Sequence, residues 1–171
     1  MIPSDDSERA VSGGDMNSAV SVRPYLPADL DALVGIFLGA IREVAAKDYD
    51  AAQIAAWAQV DREKFAARCL GTLTWVAVID RFAVGFSNLE PDGHLDMMYV
   101  HPAHQSRGTA TALLAQVEKS ARAQALPRIF TEASITARSF FERRGFQILT
   151  SQLVLSRGQT LMNFKMEKLL S

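Results

Sequence analysis

Residues 98–110 read Met98-Tyr99-Val100-His101-Pro102-Ala103-His104-Gln105-Ser106-Arg107-Gly108-Thr109-Ala110. The run from His94 to Val100 reads as a strand, and Gly108 to Ala125 as a helix with Leu113, Leu114, Val117 and Ala121 on one face. The stretch between is therefore a strand-to-helix turn. A helix start presents N–H groups without intrahelical partners and about half a positive charge. The small residues Ser106, Gly108, Thr109 and Ala110 let a phosphate approach that backbone, and Arg107 adds a cation beside it. No Gly-Lys-Ser/Thr follows, so this is not a P-loop, nor does it match G-x-G-x-x-G. On helix-start chemistry alone, an ordinary loop capping an ordinary helix remains the competing reading.

Outward from the turn, the apolar runs Leu73–Ile79 and Phe82–Leu89 meet at Asp80-Arg81 and predict an antiparallel hairpin. Gly85 inside the second run predicts a bulge or a close backbone approach. Pro91-Asp92-Gly93 is a turn. Upstream, Ala19–Tyr25 reads as a first strand, Asp29–Ala46 as an amphipathic helix, and Ala51–Gln59 and Asp61–Leu70 as two more. Downstream, Arg128–Glu132 is a short strand and Ser134 is the expected N-cap of a helix ending before Gly145. Gln147–Leu155 and Thr160–Lys168 close the chain as a hairpin across Arg157-Gly158-Gln159. Three consecutive strands followed by strand–helix–strand imply an α/β (α+β) fold, with a mixed, mostly antiparallel sheet. The crossover helix makes the strands beside it parallel neighbours.

The chain has 171 residues, of which 49% are hydrophobic and 22% charged, with a net charge of −1. That profile fits one globular domain. The charge balance excludes a dedicated nucleic-acid binder and a polybasic membrane surface. No apolar run approaches the roughly 18 residues of a membrane span. A single cysteine, Cys69, rules out an internal disulfide and a cysteine-rich zinc site. Residues 1–18, rich in Ser, Asp and Gly, are expected to be a flexible tail before a domain at 19–171, and the protein is expected in the cytoplasm. Whether translation starts at Met1 or Met16 stays open.

Gln105-x-x-Gly108-x-Ala110 resembles the Q/R-x-x-G-x-G/A signature of the GCN5-related N-acetyltransferase (GNAT) superfamily. Ser134-x-x-Ala137-x-x-Phe140-Phe141-x-x-x-Gly145-Phe146 is similar to a second block of that family. The resemblance covers roughly residues 20–168. It implies acetyl-CoA as co-substrate; no metal is expected, because the loop reading explains His101 and His104 without one and a metal would need them to converge with His94 and a fourth ligand. It implies two central parallel strands that splay into a slot, and a primary amine of a small molecule or peptide as acceptor. It further implies that amides of Gln105, Ser106, Arg107, Gly108, Thr109 and Ala110 hold the pyrophosphate. The edge of Met98, Tyr99 and Val100 would pair with the pantetheine arm, with Ser134 and Phe141 also bordering the cofactor. Dimers are common in the family, so a homodimer is allowed. Two departures stand out. Phe141 sits where a proton-donating Tyr is common, and Ser134 where an Asn is common.

Acetyl transfer to an amine needs a proton acceptor and a donor for the developing oxyanion. His94 and Asp96, two apart on the expected strand, are the candidate bases, because both would point to one face. A turn residue and a structural ion pair are the blander readings of the two. Tyr49, Gln53 and Trp57, four apart, are expected to share a helix face at the acceptor site, against the alternative of plain packing. Transfer to oxygen or of a longer acyl chain, and acyl-CoA binding without catalysis, remain alternatives.

Overall fold

The computed structural model describes Met1, Ile2 and residues 19–171. Residues 3–18 of the expected tail lie outside the described residues. Met1 and Ile2 depart from it, since they are 5% and 0% exposed.

Strand β1 (Ser21–Pro24) pairs antiparallel with β2 (Leu73–Ile79), β2 with β3 (Phe82–Leu89), and β3 with β4 (Met98–Val100). The β2–β3 turn is Asp80-Arg81, both at positive φ (49° and 70°), the two-residue turn whose twist suits a hairpin. The bulge expected at Gly85 is present beside it: Ala77 pairs with Gly85 and Val78 with Ala83, which leaves Val84 as the extra residue of β3. The close approach is present too. A Cβ on Gly85 would lie 2.9 Å from the Thr109 methyl and 3.0 Å from the Tyr99 carbonyl. A second sheet has the order β5 (Arg128–Ser134), β7 (Gln159–Leu169), β6 (Gln147–Ser156), all antiparallel.

Alternation along the strands sends side chains to two cores. Trp75, Ala77, Met98 and Val100 face a core shared with α4 (Thr109–Ala123) and α5 (Arg138–Glu142). Val76, Phe86, Met97 and Tyr99 face the other, under α1 (Leu30–Gly39), α2 (Ala51–Trp57) and α3 (Arg62–Gly71). The fold is thus mixed α/β with helices on both faces of the strand layer.

Four expectations change. The first helix is α-helical only to Gly39 and continues as a π turn over Ala40–Val44. The extra residue per turn keeps Ala40, Ile41 and Val44 on the buried side. Helix α2 starts after Asp50, whose carboxylate takes the Gln53 amide at 2.8 Å, so Tyr49 stands outside the helix and shares no helix face with Gln53 and Trp57. Ser134 ends β5, and its hydroxyl accepts from the Ala137 amide at 3.1 Å in the turn before α5.

The fourth change shapes the site. His94 lies ahead of β4, in an isolated parallel bridge to Phe130 of β5. Leu95 N–H donates to the Phe130 carbonyl at 2.9 Å, and Phe130 N–H to the Gly93 carbonyl at 3.0 Å. Asn88 of β3 holds the segment between this bridge and β4, its side-chain oxygen accepting the Met97 amide at 2.6 Å and its backbone N–H donating to the Met97 carbonyl at 3.0 Å. Gly93 permits the junction: its φ is +95° and a Cβ would meet the Arg128 carbonyl at 2.4 Å. The two sheets therefore join at residues 93–95 and 130, and β4 and β5 then diverge toward Val100 and Ser134.

Candidate functional site

The divergence makes a slot with main-chain walls. On the β4 side the Met98 carbonyl faces it; on the β5 side the Ser134 hydroxyl and Thr131 do. Met1 and Ile2 lie in this slot. Ile2 N–H donates to the Met98 carbonyl at 3.0 Å, and the Met1 α-amine to the Tyr99 hydroxyl at 2.8 Å. Burial drives that amine's pKa down to about 5, against the pull of Asp96 and Glu132.

At the wide end stands the start of α4. Gly108 is its N-cap at φ +76°, and nothing lies within 4 Å of where a Cβ would be. The Thr109 hydroxyl is buried there without a hydrogen-bond partner. Gln105 does not point outward: its side-chain amide holds the Val100 carbonyl at 2.9 Å, fixing the turn against the end of β4. An open glycine, an unsatisfied buried hydroxyl and the first-turn amides of a 15-residue helix form a cradle that fits a phosphate group.

Beside the slot lies a cavity of about 210 Å³, walled by Tyr49, Trp57, Leu161 and Met162, with Glu132 and Asn163 as polar groups and Met1 closing one side. Tyr49 and Trp57 meet edge to face at 5.5 Å. The Tyr49 hydroxyl donates to the Met162 carbonyl at 2.6 Å and accepts the Ile135 amide at 3.0 Å, pinning β7 to the end of β5. The Asn163 side-chain oxygen is buried with no partner, an acceptor waiting for a donor. Gln53 does not line the cavity; it caps α2 and donates to the Thr160 carbonyl at 2.9 Å.

At the closed end, His94 stacks on Phe130 at 5.0 Å, with one ring nitrogen 2.6 Å from Glu132 and the other 2.9 Å from Glu90. The Glu132 bond lifts its pKa to about 9, against burial and with help from Glu90. The ring therefore carries its proton at neutral pH. The same bond holds Glu132 below the ordinary carboxylate range. Asp96 is clamped by the Arg68 guanidinium of α3 through two nitrogens. Glu90, His94 and Asp96 bring ligand atoms within 4.8 Å of one another. Those atoms are already committed to Glu132, to Arg68 and to each other. Phe141 is wholly buried, packed edge to face on Phe140 and Phe146. Burial also holds the Tyr99 hydroxyl well above its ordinary pKa, so it keeps its proton.

Of the residues singled out from sequence, the structure brings Met98, Tyr99, Val100, Ser134 and the 105–110 turn to the slot, and Tyr49 and Trp57 to the cavity. His94 and Asp96 sit at its closed end in ion pairs. Glu132 and Asn163 were missed. The signal for Glu132 was a lone carboxylate inside a run of apolar and β-branched residues.

Comparison with known proteins follows the same lines. The family model described as an acetyltransferase (GNAT) domain matches residues 45–168. An uncharacterized N-acetyltransferase of Escherichia coli, YafP, is 38% identical over 148 residues, covering 86% of this chain and 94% of that protein. The crystal structure of a GCN5-related N-acetyltransferase from Rhodopseudomonas palustris superposes with a TM-score of 0.87 at 38% identity, covering 92% of this chain and all of that one. The PaiA N-acetyltransferase of Thermoplasma acidophilum, solved with coenzyme A, shares the fold at 19% identity and a TM-score of 0.75, over 89% of this chain and 99% of its own.

Proposed function

Because this chain belongs to the GNAT acetyltransferase family, we propose that it transfers an acetyl group from acetyl-CoA to a primary amine bearing an apolar or aromatic body. The observation that carries the reading is the cavity that Glu132 and Asn163 share with Ser134 of the β4–β5 slot, in a chain whose α4 starts at the open glycine Gly108. Acetyl-CoA brings an activated thioester whose carbonyl carbon the amine attacks. The α4 start takes the pyrophosphate, and the Met98 edge and Ser134 hydroxyl take the amides of the pantetheine arm. Tyr49 and Trp57 wall in the acceptor's apolar part, while the Glu132 carboxylate and the Asn163 oxygen receive its N–H groups.

A cationic His94 is no proton acceptor, so we assign that step to Glu132, which faces the cavity while His94 orients it. As the new C–N bond forms, the nitrogen sheds its proton to Glu132. As the C–S bond breaks, the sulfur departs as coenzyme A thiolate, the conjugate base of a thiol of pKa about 8.5, so the step needs no proton donor at Phe141. We place the protein in the cytoplasm, where a lone buried thiol such as Cys69 stays reduced.

The test is an amine panel with acetyl-CoA, read by thiol release and product mass. Apolar amines are expected to be acetylated on nitrogen. In Glu132→Gln, kcat should fall on the order of a hundredfold with coenzyme A affinity kept. Thiol release indifferent to every amine, or an unimpaired Glu132→Gln enzyme, overturns the reading.

A further inference from the structure

We propose that Met1 and Ile2 are a built-in plug of the donor slot, so that acetyl-CoA enters only by displacing the chain's own first residues. The inference rests on the assignment of the β4–β5 slot to the pantetheine arm. Ile2 adds to Tyr99 as a short parallel strand, with its N–H on the Met98 carbonyl at 3.0 Å. The Ser134 hydroxyl donates to the Met1 carbonyl at 2.5 Å, and the Thr131 hydroxyl reaches the Met1 sulfur at 3.6 Å. Ile2 is fully buried, in one apolar cluster with Leu33, Phe86 and Met97.

Two of these groups, the Met98 carbonyl and the Ser134 hydroxyl, are the ones assigned to the pantetheine arm. Ile2 and a pantetheine amide cannot both occupy the strand edge beside the Met98 carbonyl and Tyr99, and Ser134 has one hydroxyl proton to give. Without an occupant, the divergence of β4 and β5 leaves an open strand edge and apolar walls in water. Ile2 supplies the amide and the apolar bulk that close it. Two residues make few bonds, so the plug is weak enough for a larger ligand to displace. The cost appears as a reduced apparent affinity, by the fraction of molecules with the slot open.

Calorimetric titration of the full-length chain with coenzyme A tests this in three forms: wild type, Ile2→Val and Ile2→Asp. A carboxylate cannot be buried at position 2, so Ile2→Asp should bind roughly tenfold tighter if the slot is open about a tenth of the time in the wild type. Ile2→Val should match the wild type. In the wild type alone, the Ile2 amide should be protected from hydrogen exchange and lose that protection when coenzyme A is added. Equal affinities in all three forms, or protection that survives coenzyme A, overturn the plug and leave the cofactor site standing. No coenzyme A binding by any form overturns the slot assignment, and the plug with it.

Discussion

His94 shows how far a residue's surroundings can reverse its chemistry. A free imidazole titrates near 6.5, close to ideal for a base. Held between Glu132 and Glu90, this one titrates at about 9. The raised pKa makes the pair a source of stability with a defined window. Folding favours the imidazolium, so its contribution is whole below about pH 6.5 and is lost as pH rises through about 9. Glu132 gives the opposite edge, since its lowered pKa means the bond weakens once acid protonates the carboxylate. Both edges describe one interaction, on the order of 2 kcal/mol after allowing for partial exposure. Urea unfolding should therefore show the wild type losing about that much between roughly pH 6 and pH 9.5, with Glu132→Gln giving a flatter profile. An identical slope in the variant would remove His94–Glu132 as the cause.

At the scale of elements, the seating of α4 on β3 and β4 sets the cradle. Gly85 of β3 leaves no room for a methyl: a Cβ there would lie 2.9 Å from Thr109 and 3.1 Å from Leu113 of α4, and 3.0 Å from the Tyr99 carbonyl of β4. Gly85→Ala must move the helix start or the strand, at a cost of about 1–3 kcal/mol. The same displacement shifts the first-turn amides relative to the slot. Coenzyme A affinity should fall in this variant even though residue 85 touches no ligand, and the melting temperature should drop. A variant that melts lower but binds coenzyme A as before would show that α4 moves as a unit with β4 and that the cradle is not set at Gly85. The hairpins, by contrast, rest on local rules. Asp80-Arg81 and Arg157-Gly158 both take positive φ, and each joins two strands that the alternation of apolar residues already marks.

For the whole molecule, two sheets meet at a narrow junction and are held further apart by α4 and by whatever fills the slot. A ligand that bonds β4 on one side and β5 on the other should stabilise the protein as one body. At a coenzyme A concentration of about a hundred times Kd, mass action adds about 2.7 kcal/mol, or roughly 5–10 °C in melting temperature for a chain of this size. No shift at that concentration would mean that coenzyme A does not bind the folded chain. The sequence by itself determined the order of the strands, both hairpin turns and the strand-to-helix turn at 101–108, because periodicity, turn chemistry and helix-start geometry are properties of neighbouring residues. It led to Tyr49 and Trp57 through a spacing that proved not to be helical at Tyr49, because the Asp50 cap starts α2 one residue later. Only the tertiary structure decided which side chains meet from far apart. Glu132 lies 38 residues from His94, Asp96 lies 28 from Arg68, and Ser134 lies 133 from Met1. Those meetings fix protonation states and close the slot. They depend on where two sheets are joined and how they splay, and no local pattern in the chain carries that information.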